Sequence, residues 1–138
     1  GPEGEALVID DNFFVEKVFT GGVIREIDAE TMAGIRRPYE APGEARRPTL
    51  SWVRQIPIGG KPEFVAELSE RLSSWVGTIN CPKLFIEADP GQIIVDRDLD
   101  IINSWTNQSR IKVKGLHHPQ EDSPDDIGQG LARWYAGI

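Results

Sequence analysis

"RIKVKGLHHPQEDSPDDIG", Arg110 to Gly128, decides how the chain is read. Its first residues alternate and favour β-branched side chains, which predicts a strand. Both histidines of the chain, His117 and His118, follow at once. A helix is predicted next, with Ser123 as its N-cap and Pro124 as its first residue. Asp125 and Asp126 then face the positive end of the helix dipole. Ile127, Leu131, Trp134 and Ile138 fall on one helical face and are the expected buried stripe.

Moving toward the N-terminus, "PKLFIEAD" is a short apolar run ended by Asp89-Pro90-Gly91, and it predicts a second strand. "IIVDRDLDIINSWTN" between the two runs is helical in part. Strand, helix and strand imply a parallel pair with a right-handed crossover. Such a pair is normally part of a larger sheet covered on both faces. Only two runs here read as strands, so the sheet is expected to be incomplete.

The first half predicts interrupted helices. "DNFFVEKVF" starts at a polar pair, sets Phe14 and Val18 one turn apart, and is stopped by Gly21 and Gly22. "DAETMAGIRRPY" has Asp28 as its cap and ends before Pro38. "PGEARRPTLSWVRQIPIGG" is broken by Pro48 and Pro57. "KPEFVAELSERLSSWVG" is the strongest helix, with Phe64, Leu68, Leu72 and Trp75 on one face, Pro62 in the first turn and Gly77 at the end.

Composition narrows the function. A net charge of −7 over 138 residues argues against a nucleic-acid partner, which needs clustered Lys and Arg. The arginine pairs of "GIRRP" and "GEARRP" read as surface salt-bridge partners. The single Cys81 excludes an internal disulfide and a CxxC metal site. Adjacent His117 and His118 diverge too much for a metal pair. No apolar run reaches the ~20 residues of a membrane span, and the N-terminus lacks a signal-peptide pattern. A soluble, cytoplasmic protein without a membrane partner is expected.

Catalytic groups of hydrolase-type parallel sheets sit on loops at the carboxyl ends of strands. Two such loops exist here, carrying Asp89 and then His117, in the order acid, base. No G-x-S-x-G or G-x-D-x-G elbow supplies a nucleophile. "DNFFVEKVF", "GEARRPTLSWVRQIPI", "PKLFIEADPG" and "GLHHPQEDSPDDIG" together resemble the haloalkane dehalogenase family and its relatives, the Renilla-type luciferases. The resemblance runs from about Leu7 to the end. It implies an α/β fold: the C-terminal part of an α/β-hydrolase, with its last two parallel strands and helices, preceded by part of a helical cap. Residues 1–59 are then the cap part and residues 60–138 the main-domain part.

What else the resemblance implies concerns chemistry. A carboxylate displaces halide from a haloalkane, and the resulting alkyl ester is hydrolysed, with no cofactor and no metal. The pattern G-x-H-x-x-QED falls on Gly115, His117 and Gln120-Glu121-Asp122, which makes His117 the base and His118 its neighbour in the pocket wall. Phe14, Val18, Ile56 and Ile93 match positions that line the cavity or tunnel, though as apolar residues they could equally be core. Asp89 is either the triad acid or simply part of an Asp-Pro-Gly turn. The nucleophile, the halide donors and, in the subgroup nearest this chain, the acid belong to an earlier half. The expected partners are therefore a small halogenated substrate and that N-terminal half, or a second protomer. The alternatives are a luciferase-like coelenterazine monooxygenase and a non-catalytic fragment.

Overall fold

A computed structural model describes all 138 residues, which form two compact units. The first comprises Gly1–Gly21 and Glu26–Glu70, the second Gly22–Arg25 and Arg71–Ile138. The chain thus leaves the first unit for four residues and then re-enters it. No helix is long and apolar enough to cross a membrane.

The first unit is helical. Helix α1 (Pro2–Ile9) was not legible beforehand, because it buries none of its residues and so carries no apolar stripe. Asn12, buried and with φ of 52°, turns the chain into the segment Phe14–Phe19; asparagine tolerates this left-handed conformation. That segment is wound as a wide π-helix. The wider winding puts Val15 in the core at 3% exposure and leaves Val18 outside it. Helix α2 (Ala29–Arg36) begins as expected, with the Asp28 carboxylate accepting from Thr31 N–H at 2.8 Å. Helix α3 (Arg47–Val53) follows a tight turn at Glu44–Arg46.

The arginine pairs divide. Arg36 clamps Glu16 through two bonds of 2.7 and 2.8 Å, and Arg47 pairs with Glu44, as surface partners should. Arg46 does not fit that reading. It is buried, and its guanidinium donates to four backbone carbonyls: Tyr39 (2.7 Å), Ile9 (3.0 Å), Asp10 (2.6 Å) and Glu40 (3.0 Å). Helix ends leave carbonyls without intrahelical partners. One planar, multiply donating side chain satisfies several of them at the end of α1 and after α2, and Val15, Met32 and Leu50 supply the apolar core of the unit.

Helix α4 (Glu63–Thr78) follows. Pro62 precedes its first turn, its carbonyl accepting from Val65 and Ala66, and Gly77 lies within the last turn. The expected face is present but bare: Phe64 is 74% exposed and Trp75 58%.

In the second unit, β1 (Lys83–Pro90) and β2 (Gln108–Gly115) pair in parallel, in register from Lys83 opposite Gln108 to Pro90 opposite Gly115. Helix α5 (Asp96–Asn103) connects them. A short turn of helix, α6 (Pro119–Asp122), leads into α7 (Pro124–Tyr135). Ser123 starts α7 through its carbonyl, but its hydroxyl does not cap the helix; it donates to Lys114 O at 2.8 Å. The stripe of α7 is also narrower than expected, since Leu131 and Ile138 are exposed and the buried contact is Gly130 under Ile111.

Candidate active site

The equal register of β1 and β2 brings their carboxyl ends level, and Gly91 N–H donates to Gly115 O at 3.0 Å to tie the two exits together. A cavity of about 380 Å³ opens there. Glu87, Ile93, Ile94, Leu99, Leu116 and His117 contribute to its lining. A polar imidazole at the rim of a partly apolar cavity, beyond the ends of parallel strands, is the usual placement of a catalytic group in such sheets.

The turn that carries the histidines is tightly built. A Cβ on Gly115 would come within 2.6 and 2.7 Å of Pro119 Cβ and Cα, so only glycine lets the chain turn back onto itself there. His118 N–H donates to Gly22 O at 2.9 Å. The two imidazoles lie 4.6 Å apart, centroid to centroid, tilted by 49°. Burial, and after it the neighbouring His117, push the His118 imidazole below its ordinary value, while Glu121 opposes them. A neutral His118 is therefore favoured beside His117.

The sequence-predicted residues separate by place. Ile93 and His117 share the cavity. His118 is not among its lining; its ring rests against Gly22 instead. Asp89 also stays outside the lining, 61% exposed at its side chain and 3.9 Å from Lys112 Nζ. Phe14, Val18 and Ile56 lie in the first unit, where Phe14 meets Trp52 edge-on at 5.5 Å and both Val18 and Ile56 are partly exposed.

Sequence reasoning missed two features. Glu87 lines the cavity with a side chain only 14% exposed, held between Arg110 at 3.2 Å and Lys112 at 3.5 Å. Its Oε2 lies within ion-pair distance of Arg110 but off the line of a hydrogen bond. The single carboxylate in the apolar run of "KLFIEA" was the available signal, because a buried carboxylate needs a partner. The second is the docking of Gly22–Arg25 on α6. Asp122 accepts from Ile24 N–H at 3.0 Å and from Arg25 N–H at 2.8 Å, and Arg25 reaches Glu121 O at 2.6 Å and its carboxylate at 3.0 Å. No signal in the sequence joins residues 97 apart.

No family model matches the chain. A haloalkane dehalogenase of Sphingobium indicum is 48% identical over 129 residues, covering 94% of this chain and 44% of the relative. A coelenterazine h 2-monooxygenase of Renilla reniformis is 40% identical over 129 residues, covering 92% of this chain and 41% of the relative. The crystal structure of the haloalkane dehalogenase DbeA from Bradyrhizobium elkani superposes with a TM-score of 0.91 at 33% identity, covering 97% of this chain and 46% of that one. The chain thus spans slightly under half the length of the relatives it matches. Over nearly all of its residues it is homologous to haloalkane dehalogenases of the α/β-hydrolase fold, and it matches their C-terminal part.

Proposed function

We propose that this chain supplies the base-bearing part of a hydrolase that cleaves carbon–halogen bonds of small haloalkanes. The observation that carries the reading is His117 at the rim of the cavity where β1 and β2 end. Residues 1–59 act as the cap part and residues 60–138 as the main-domain part. The partner is the N-terminal half of the same fold, within one polypeptide or as a second chain, since these residues contain no nucleophile elbow.

In this reading a carboxylate of that half attacks the halogen-bearing carbon; a C–O bond forms, the carbon–halogen bond breaks and halide leaves. Water is too weak a nucleophile to open the resulting ester at neutral pH. His117 takes a proton from that water as it attacks the ester carbonyl. The alcohol departs, the carboxylate is restored, and the sum is haloalkane plus water giving alcohol, halide and a proton. Ile93, which lines the same cavity as His117, shapes the space around the substrate.

A carboxylate must orient the imidazole. Asp89 is one candidate, but its exposure and its pairing with Lys112 favour a carboxylate of the other half. Loss of a triad acid costs roughly four orders of magnitude in kcat, so Asp89→Asn in the complete protein separates the two positions.

A second reading, oxidation of coelenterazine, draws on the 40% identity to the Renilla monooxygenase. The test is halide release from 1,2-dibromoethane, run beside light emission from coelenterazine. The chain joined to its N-terminal half is expected to release halide, and the chain alone none. Equal halide release by the chain alone, or light without halide, contradicts the proposal.

A further inference from the structure

We propose that Gly22–Arg25 is a strap that fixes the position of His117, with Gly22, Arg25 and Asp122 as positioning residues; this rests on His117 being the base of the proposed reaction. His117 is itself exposed and sits on a turn that leads into a helix of only four residues, α6. Within the turn, Glu121 N–H donates to His118 O at 2.9 Å and Ser123 N–H to Pro119 O at 2.8 Å. The strap adds a second set of bonds from a distant part of the chain. Asp122 gathers the N–H groups of Ile24 and Arg25 on one carboxylate. Arg25 returns two bonds to Glu121, and Gly22 O receives His118 N–H.

The contact at Gly22 is specific to glycine. A Cβ there would lie 2.7 Å from His118 Cδ2 and 3.0 Å from His117 Cβ. The strap backbone is therefore pressed against both histidines, and Val23 within it is one of the few buried apolar residues of this unit. Charge-assisted bonds of this kind are stronger and more directional than neutral ones. A general base has to stay within hydrogen-bond reach of the water it deprotonates. The Glu121-Asp122 pair thus acts through the strap and touches no reacting atom.

The test uses the complete protein, the chain joined to its N-terminal half, in three variants: Arg25→Ala, Asp122→Ala and Asp122→Asn. Asparagine keeps Oδ1, the oxygen that accepts from both Ile24 and Arg25. The first readout is the imidazole NMR signals of His117 and His118, assigned by His117→Phe and His118→Phe. They are expected to shift in both alanine variants and to stay near their original positions in Asp122→Asn. This readout needs no turnover, so it decides the strap even if no halide is ever released. The second is intact mass after mixing with 1,2-dibromoethane. Ester formation is expected to keep its rate, while ester hydrolysis slows by about tenfold or more in the alanine variants, given that a misplacement of about 1 Å can cost ~100-fold. Asp122→Asn should recover most of that loss. Histidine signals that do not move in either alanine variant overturn the proposal. So does an equal slowing of both steps with asparagine as damaging as alanine, which is the mark of a merely structural residue. Absence of any ester in His117→Phe instead defeats the functional reading.

Discussion

The histidine turn and helix α4 are opposites. The turn from Gly115 to Ser123 finds its partners inside this chain: Gly22, Ile24 and Arg25 on one side, Lys114 O on the other. Helix α4 has the clearest apolar stripe in the sequence and buries none of its sixteen residues. Phe64, Leu68, Leu72 and Trp75 are all exposed. The geometry of a site and the burial of a fold are thus encoded at different ranges. The chain holds its histidines with its own residues, while the cover for α4 is not among them, in keeping with a sheet of two strands.

The sharpest way to break this contrast is at Gly115. Gly115→Ala must push Pro119 away, backbone included, so it is expected to cost about 1–3 kcal/mol of stability, the range for overpacking a tight site. Denaturation followed at the tryptophans measures it. A neutral result would mean that the turn is looser than its contacts indicate.

Helix α4 supplies the opposite expectation. Leu72→Gln with Trp75→Ser should change the unfolding free energy of the chain alone by no more than about 0.5 kcal/mol, as exposed positions do. The pair should lower self-association, because a contiguous apolar face in water drives it. Sedimentation reads the second effect. A destabilisation matching that of Gly115→Ala would show that α4 is covered within the chain after all.

The smallest effect is one of pH. The folded chain holds His118 below its ordinary value of 6.5, through burial first and His117 second. The unfolded chain therefore binds this proton more readily, and the contribution is complete above that value and lost as pH falls below it. Stability of the unsubstituted chain should decline from about pH 6.5 downward more steeply than that of His118→Phe. Parallel profiles would remove the His118 ring from the set of groups that the strap shields.

What was legible in the sequence follows the range of each interaction. Local chemistry read well: both strands from their residue types, the Asp28 cap from one side chain and its neighbour, Pro124 at the start of α7. The stripe of α4 read correctly as a helix, but periodicity reports that a face is apolar and says nothing about what covers it. Helix α1 has no stripe and was not seen. Ser123 looked like a cap because of its type and position, yet Lys114 O, nine residues earlier, takes its hydroxyl. Arg46 and Arg47 are identical in type and adjacent, and only the fold shows that the first is buried among carbonyls. At the site, the resemblance pointed to His117 as the proposed base, while the bonds between Gly22–Arg25 and α6 join residues nearly a hundred positions apart.

In the proposed reaction His117 carries the chemistry and its neighbour His118 does not. In the complete protein, His117→Phe should still form the alkyl ester, because an ionised carboxylate needs no base to attack. It should then fail to hydrolyse it, so that one equivalent of substrate stays bound as added mass. His118→Phe should turn over repeatedly and hold no adduct. Intact-mass spectrometry after incubation with a haloalkane reads both variants in one measurement. Adduct on His117→Phe alone is the result expected here; adduct trapped by His118→Phe and not by His117→Phe would contradict the account.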